Sequence, residues 1–222
     1  MKLSIAVLSA LGALYLSAPA FAEGSAEAGQ AKAATCVACH GVDGNSVNPE
    51  WPTIAGQHHD YIVKQLKAFK SGARQNVLMS PMAAPLSDAD IDDLAAYFSS
   101  QIANGLEAEP SKVSLGQRLY RAGDAETGVA ACGSCHGPTG HGNPAAEYPS
   151  IRGQHSTYLE AQLKAYRSGT RQTDQNQMMR GVAHALTDEQ IAAVASYVQG
   201  LRSRKLARHC AFSIRLKEEV FK

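Results

Sequence analysis

Cys-Val-Ala-Cys-His at positions 36–40 recurs as Cys-Gly-Ser-Cys-His at 132–136, 96 positions further along a chain of 222 residues. Two thiols three positions apart on a short helical turn reach the two vinyl groups along one edge of a porphyrin. The histidine next in the chain then falls beneath its iron. The pattern predicts two covalently attached haem c groups. Cys36, Cys39, Cys132 and Cys135 are expected to form the thioethers, and His40 and His136 to be the first axial ligands. A zinc half-site or a thioredoxin-like thiol pair uses the same cysteine spacing, but zinc wants four ligands and a redox pair a βαβ setting. Neither explains a histidine directly after the second cysteine in both copies.

The residues downstream of each motif also repeat. Trp51-Pro52-Thr53-Ile54-Ala55-Gly56-Gln57-His58 pairs with Tyr148-Pro149-Ser150-Ile151-Arg152-Gly153-Gln154-His155. Tyr61, Gln65, Leu66, Ala68, Phe69 and Gly72 pair with Tyr158, Gln162, Leu163, Ala165, Tyr166 and Gly169, and Leu86-Ser87-Asp88 pairs with Leu186-Thr187-Asp188. The chain is a tandem duplication, expected to comprise 23–103 and 112–201 joined by a linker at 104–111.

Each half reads as helices joined by loops, so the fold class is all-α. The alanine-rich run 26–35 predicts a helix leading into the first motif, with Leu115–Arg121 starting its counterpart. Apolar residues at helical spacing mark 59–71 and 156–168, each ending at a glycine suited to a C-terminal cap, Gly72 or Gly169. Ser87 and Thr187 are the N-caps of the last helix in each half, with acidic residues in the first turn. Its apolar face, Ile91, Leu94, Ala95 and Phe98 or Ile191, Val194, Ala195 and Val198, is expected to pack on the first helix. A half of this size has a small core of its own, and a macrocycle supplies much of the missing apolar filler.

Residues 1–22 read as a cleaved secretory signal peptide: Lys2, a nearly unbroken apolar run from Leu3 to Leu16, then Ala20-Phe21-Ala22. Export agrees with the haem motif, because covalent attachment takes place outside the cytoplasm in bacteria, and it predicts a periplasmic protein. No later stretch is long and apolar enough to span a bilayer. Charge separates by segment. Residues 23–201 hold 13 basic against 18 acidic side chains, whereas 202–222 hold seven basic and two acidic. Nothing in the mildly acidic body suggests nucleic-acid binding. The basic tail reads either as an amphipathic segment for peripheral contact with anionic lipid or an acidic partner, or as an extension without a role. Cys210 is the one cysteine the haem motifs leave over, and an intermolecular disulfide is its available chemistry.

A methionine thioether is the usual sixth ligand where electron transfer is the task. Met79 and Met179 each lie seven residues before the repeated Leu86 or Leu186, whereas Met82 aligns with Val182 and Met178 with Leu78. Met79 and Met179 are therefore the expected second ligands, and Met82 and Met178 packing residues. His58 and His155 match across the repeat and suit either a haem propionate or solvent; His59, His141, His184 and His209 have no counterpart. A ligating histidine donates its other N–H to a carbonyl, and the repeated Pro52 and Pro149 are placed to present it. Arg74 and Arg171 read as propionate partners or as solvated surface charges.

Two such halves, each with Cys-x-x-Cys-His, an aromatic-Pro-x-Ile-x-Gly-Gln turn, a Tyr-x-x-x-Gln-Leu helix and a late methionine, resemble the dihaem cytochrome c4 family over about residues 23–201. The resemblance implies two tandem cytochrome c-like domains, each wrapping one haem c. It implies an electron carrier with redox protein partners, passing electrons from a quinol-oxidising complex towards a terminal oxidase, with no small-molecule substrate. The ligand set it implies agrees with the one chosen from the residues: Cys36, Cys39, His40 and Met79, then Cys132, Cys135, His136 and Met179. Two alternatives remain at this level. One is the dihaem subunit of a sulfide-oxidising flavocytochrome. The other is a haem enzyme such as a peroxidase or a thiosulfate-oxidising cytochrome, which would need one open or unusual axial position.

Overall fold

A computed structural model describes residues 24–202. The signal-peptide reading and the basic tail from 203 onward, with His209 and Cys210, lie outside the described residues. The first half contains α1 (Ala26–Lys32), α2 (Ala34–His40), α3 (His59–Ser71), α4 (Met79–Ala83) and α5 (Asp88–Ser100). The second contains α6 (Pro110–Ala122), α7 (Gly133–His136), α8 (Ser156–Ser168), α9 (Met178–His184) and α10 (Asp188–Gln199). Among the described residues the only β features are two isolated bridges, Asp124 with Val129 and Asn143 with Tyr148. The fold is all-α, as the periodicity indicates.

The same packing plan serves both halves. The last helix lies across the first, α5 on α1 and α10 on α6, and the middle helices α3 and α8 close the remaining side. Glycine makes the crossing possible: a Cβ on Gly29 would meet the Asp93 carbonyl and stand 2.8 Å from Tyr97 Cβ. One on Gly116 would meet the Ala193 carbonyl and stand 2.7 Å from Tyr197 Cβ. Burial follows the predicted faces, with Ile91 and Ile191 both at 0% exposure. Capping boxes close the N-termini of both final helices, Ser87 with Asp90 and Thr187 with Gln190. Gly72 and Gly169 end α3 and α8 in the left-handed region, at φ 78° and 77°.

Two details differ from the sequence reading. The helix expected over 26–35 breaks at Ala33, which is 1% exposed and packs into the first-half core, and Cys36 of the next helix packs against the same core. In the second half α6 begins at Pro110, within the segment read as linker, because a proline at the first turn forfeits no helical hydrogen bond. That helix then stops at Gly123, and a bridged loop separates it from the second motif. The motif is thus approached by a helical run in one half and by a loop in the other.

Candidate functional site

In each half a loop carries the chain away from the motif and returns it beneath the histidine. The return is fixed by one carbonyl. Ile54 and Ala55 N–H both donate to Gly44 O at 2.8 and 3.0 Å, and Ile151 and Arg152 N–H to Gly140 O at 2.8 and 3.1 Å. The turn delivers Pro52 O to 2.8 Å from His40 Nδ1, and Pro149 O to 2.9 Å from His136 Nδ1. These are the two carbonyls the repeat singled out. A carbonyl only accepts, so Nδ1 must carry the proton and Nε2 the lone pair. His40 and His136 are 6% and 7% exposed, and burial holds both imidazoles below their usual pKa against the weaker opposing effect of the proline carbonyls. Each is therefore a neutral, oriented nitrogen donor.

The cysteines stand beside them. Cys36 and Cys39 lie almost one turn apart on α2, with Cys36 packed on the first-half core; Cys132 caps α7 and packs on the second, and Cys135 is exposed. Before any thioether forms, burial pushes both leading thiols up, Cys132 to about 11. No group of three or more His, Cys, Asp or Glu arranged to hold a metal ion occurs among the described residues. The donor set, a fixed imidazole with Nε2 available and two thiols one turn apart, fits a haem c in each half.

Met79 opens α4, and its N–H and that of Leu78 both donate to Asn76 Oδ1 at 2.9 Å. Met179 comes soon after two residues in the left-handed region, Asn176 and Gln177 at φ 50° and 59°. Ala83 and Ala183, each four residues on and hence on the same helix face, are both at 0% exposure. Met79 and Met179 are half-buried, whereas Met82 is 50% and Met178 36% exposed. Met178 also has its sulfur 3.8 Å from the Tyr148 hydroxyl.

The family resemblance implies an interface between the halves, but sequence reasoning did not anticipate which residues build this seam. Gln154 bridges to Thr53, accepting from its N–H at 2.9 Å and donating to its carbonyl at 2.7 Å. Gln57 repeats this on Ser150 at 3.0 and 2.8 Å. His155 Nε2 lies 2.8 Å from Ser46 O and His58 Nε2 2.7 Å from His141 O, again across the seam. His155 is buried, which corrects the solvated reading for that residue. Arg74 donates to Gln65, Tyr158 and Gln162 at 2.7, 3.0 and 2.8 Å. Arg171 donates to Gln162, Tyr61 and Gln65 at 2.8, 2.9 and 3.0 Å. The two guanidiniums also stack on Phe69 and Tyr166 at 4.6 Å.

Arg171 is thus buried and Arg74 half-buried, and neither is a solvated surface charge. Burial raises the Tyr158 phenol, but the two guanidiniums outweigh it and hold the phenol below its usual range. The signal was present in the sequence as matched polar residues at Gln57, Tyr61 and Gln65 and their repeats. Core packing alone does not require them, so a shared polar role was available to be read.

The cytochrome c family model matches residues 26–101 and again 113–202. Cytochrome c4 of Thiocapsa roseopersicina is 49% identical over 180 residues, covering 80% of this chain and 93% of the relative. The thiosulfate dehydrogenase electron acceptor of Thiomonas intermedia (strain K12) is 40% identical over 199 residues, 87% of this chain and 89% of the relative. The crystal structure of reduced recombinant cytochrome c4 from Pseudomonas stutzeri superposes with a TM-score of 0.79 at 45% identity, covering 81% of this chain and 100% of that one.

Proposed function

The chain belongs to the cytochrome c4 family, dihaem electron carriers with one haem c in each domain, and on that premise we propose that it carries electrons in the periplasm from a quinol-oxidising complex towards a terminal oxidase. His40 and Met79 hold the first iron, His136 and Met179 the second, and Cys36, Cys39, Cys132 and Cys135 anchor the porphyrins. The observation that carries the ligand assignment is the duplicated histidine, held through Nδ1 by a proline carbonyl in each half with Nε2 left as donor. Haem c, when bound, supplies a one-electron ferric/ferrous couple.

The polypeptide's part is to keep the couple's surroundings unchanged on electron transfer. Pro52 and Pro149 fix the imidazole planes, the crossings at Gly29 and Gly116 fix the motif against its core, and the polar seam fixes one half against the other. Export is supported by residues 1–22, and no helix among the described residues is long and apolar enough to cross a membrane. A second reading, in which the donor is a sulfur-oxidising enzyme, has support from the relative named as a thiosulfate dehydrogenase electron acceptor.

The test is reconstitution. Oxidised holoprotein should be reduced by a purified quinol-oxidising complex with its quinol, and reoxidised by a terminal oxidase under oxygen. Reduction only by thiosulfate with its dehydrogenase would replace the quinol reading with the second donor. The ligand assignment is checked separately by Met179→Ala and Met79→Ala. Each should turn about one of the two ferric haems high-spin and remove about half of the near-infrared sulfur-to-iron band, since each methionine serves one iron. Met82→Ala and Met178→Ala should leave both signals intact.

A further inference from the structure

The peptide unit that orients each histidine is shared with the opposite half. Pro52 O, which accepts from His40 Nδ1–H at 2.8 Å, and Thr53 N–H, which donates to Gln154 Oε1 at 2.9 Å, are the two ends of one amide. Pro149 O, 2.9 Å from His136 Nδ1, and Ser150 N–H, 3.0 Å from Gln57 Oε1, form the mirror arrangement. The path from either histidine to a side chain of the other half therefore crosses two hydrogen bonds and one peptide group. Both glutamine amides are held in place: Gln154 Oε1 also accepts from His155 N–H at 3.0 Å, and Gln57 Oε1 from His58 N–H at 3.0 Å. Their NH2 groups close the ring on Thr53 O and Ser150 O at 2.7 and 2.8 Å.

We propose that Gln154 and Gln57 are positioning residues that tune the axial histidine of the half to which they do not belong. An amide whose N–H is hydrogen-bonded has a more negative carbonyl oxygen, because chained hydrogen bonds polarise one another. That oxygen draws harder on the histidine N–H, makes the imidazole a stronger donor to iron and favours the ferric state. Gln154 thus lowers the potential of the first-half haem, and Gln57 that of the second-half haem. The two couplings differ in surroundings. Thr53, Gln154 and His155 are 9%, 7% and 8% exposed, whereas Gln57, His58 and Ser150 are half-buried. A bond excluded from water is not replaced by a solvent molecule, so the Gln154 effect is the larger.

Both tunings rest on the reading of His40 and His136 as axial ligands. The experiment is a redox titration of haem-loaded Gln154→Ala and Gln57→Ala, with the two haems distinguished by their hyperfine-shifted methyl resonances. The histidine Nδ1–H resonances are followed in the reduced proteins. In Gln154→Ala the potential of the first-half haem should rise and the His40 Nδ1–H should move upfield, with the second half unchanged. Gln57→Ala should give the crossed pattern with a smaller shift. General loosening of the seam would move both haems together in either variant.

Equal shifts in both halves, shifts confined to the half that carries the substitution, or unchanged potentials with both haems retained would overturn the proposal. Should Gln154→Ala fail to fold, Gln57→Ala, at the more solvated of the two sites, decides the question with the same readouts. A wild-type ferric spectrum with no hyperfine-shifted imidazole signals would instead remove the ligand assignment beneath it.

Discussion

Replacing Cys132 and Cys135 together with alanine is expected to halve the covalent haem, from two per chain to one, and to abolish cooperative unfolding of the second half. The haem loss comes from attachment: without a thiol no thioether forms, and His136 alone would not retain a porphyrin through purification. The structural loss comes from the core. Buried apolar side chains of the second half form two clusters, Leu119, Tyr120, Val194, Tyr197 and Val198 in one and Val129, Leu186 and Ile191 in the other. Partly buried Leu163 is the side chain packed against both. Fewer than a hundred residues with a divided core bury too little apolar surface to be secure without the macrocycle. Intact-protein mass spectrometry and calorimetry read the two effects independently. Two haems still attached would mean that these cysteines are not the anchors, and an undisturbed second transition would mean that the half is stable without its haem.

The second large effect sets local preference against packing. Alanine in place of a mid-helix glycine ordinarily stabilises a helix by about 0.5–1 kcal/mol. At Gly116 the added methyl would run into the Ala193 carbonyl and the Cβ of Tyr197, both parts of the crossing helix and neither able to rotate away. Overpacking costs about 1–3 kcal/mol, and an obstruction made of backbone belongs at the upper end. Gly116→Ala should therefore lower the melting temperature of the second half by on the order of 10 °C. Gly181, inside α9 with nothing within 4 Å of an added methyl, lacks that obstruction, and Gly181→Ala should raise stability instead. If both substitutions moved stability in the same direction, close approach at the α6–α10 crossing would not be what Gly116 provides.

Much of this was legible because the chain states its plan twice. The motif spacing points to the anchors, and the helical periodicity of 59–71 and 156–168 matches α3 and α8. The repeated Pro52 and Pro149 carbonyls stand where the histidines require them. Comparing the two copies also separated Met79 and Met179 from their neighbours, a distinction no single half provides. Two other features do not follow from local sequence, for physical reasons. The break at Ala33 comes from tertiary packing, since alanine is the best helix former and nothing local stops the run. The seam is a long-range property: Gln154 contacts Thr53 and Arg171 contacts Tyr61 across roughly half the chain, and periodicity carries no information at that separation. A polar residue retained at equivalent positions of both copies, on a turn or helix that has no need of it, is the sequence trace such a seam leaves.

The central claim is that both halves hold a low-spin haem c between histidine and methionine. The most direct measurement is the absorption spectrum of the purified holoprotein, oxidised and reduced, with pyridine haemochrome quantification. Two c-type haems per chain, with the near-infrared sulfur-to-iron band at the strength of two sites, is the predicted result. A band at half strength, or a high-spin ferric signal at neutral pH, would mean that one iron is differently ligated and would contradict the account of a chain built from two equivalent electron-transfer centres.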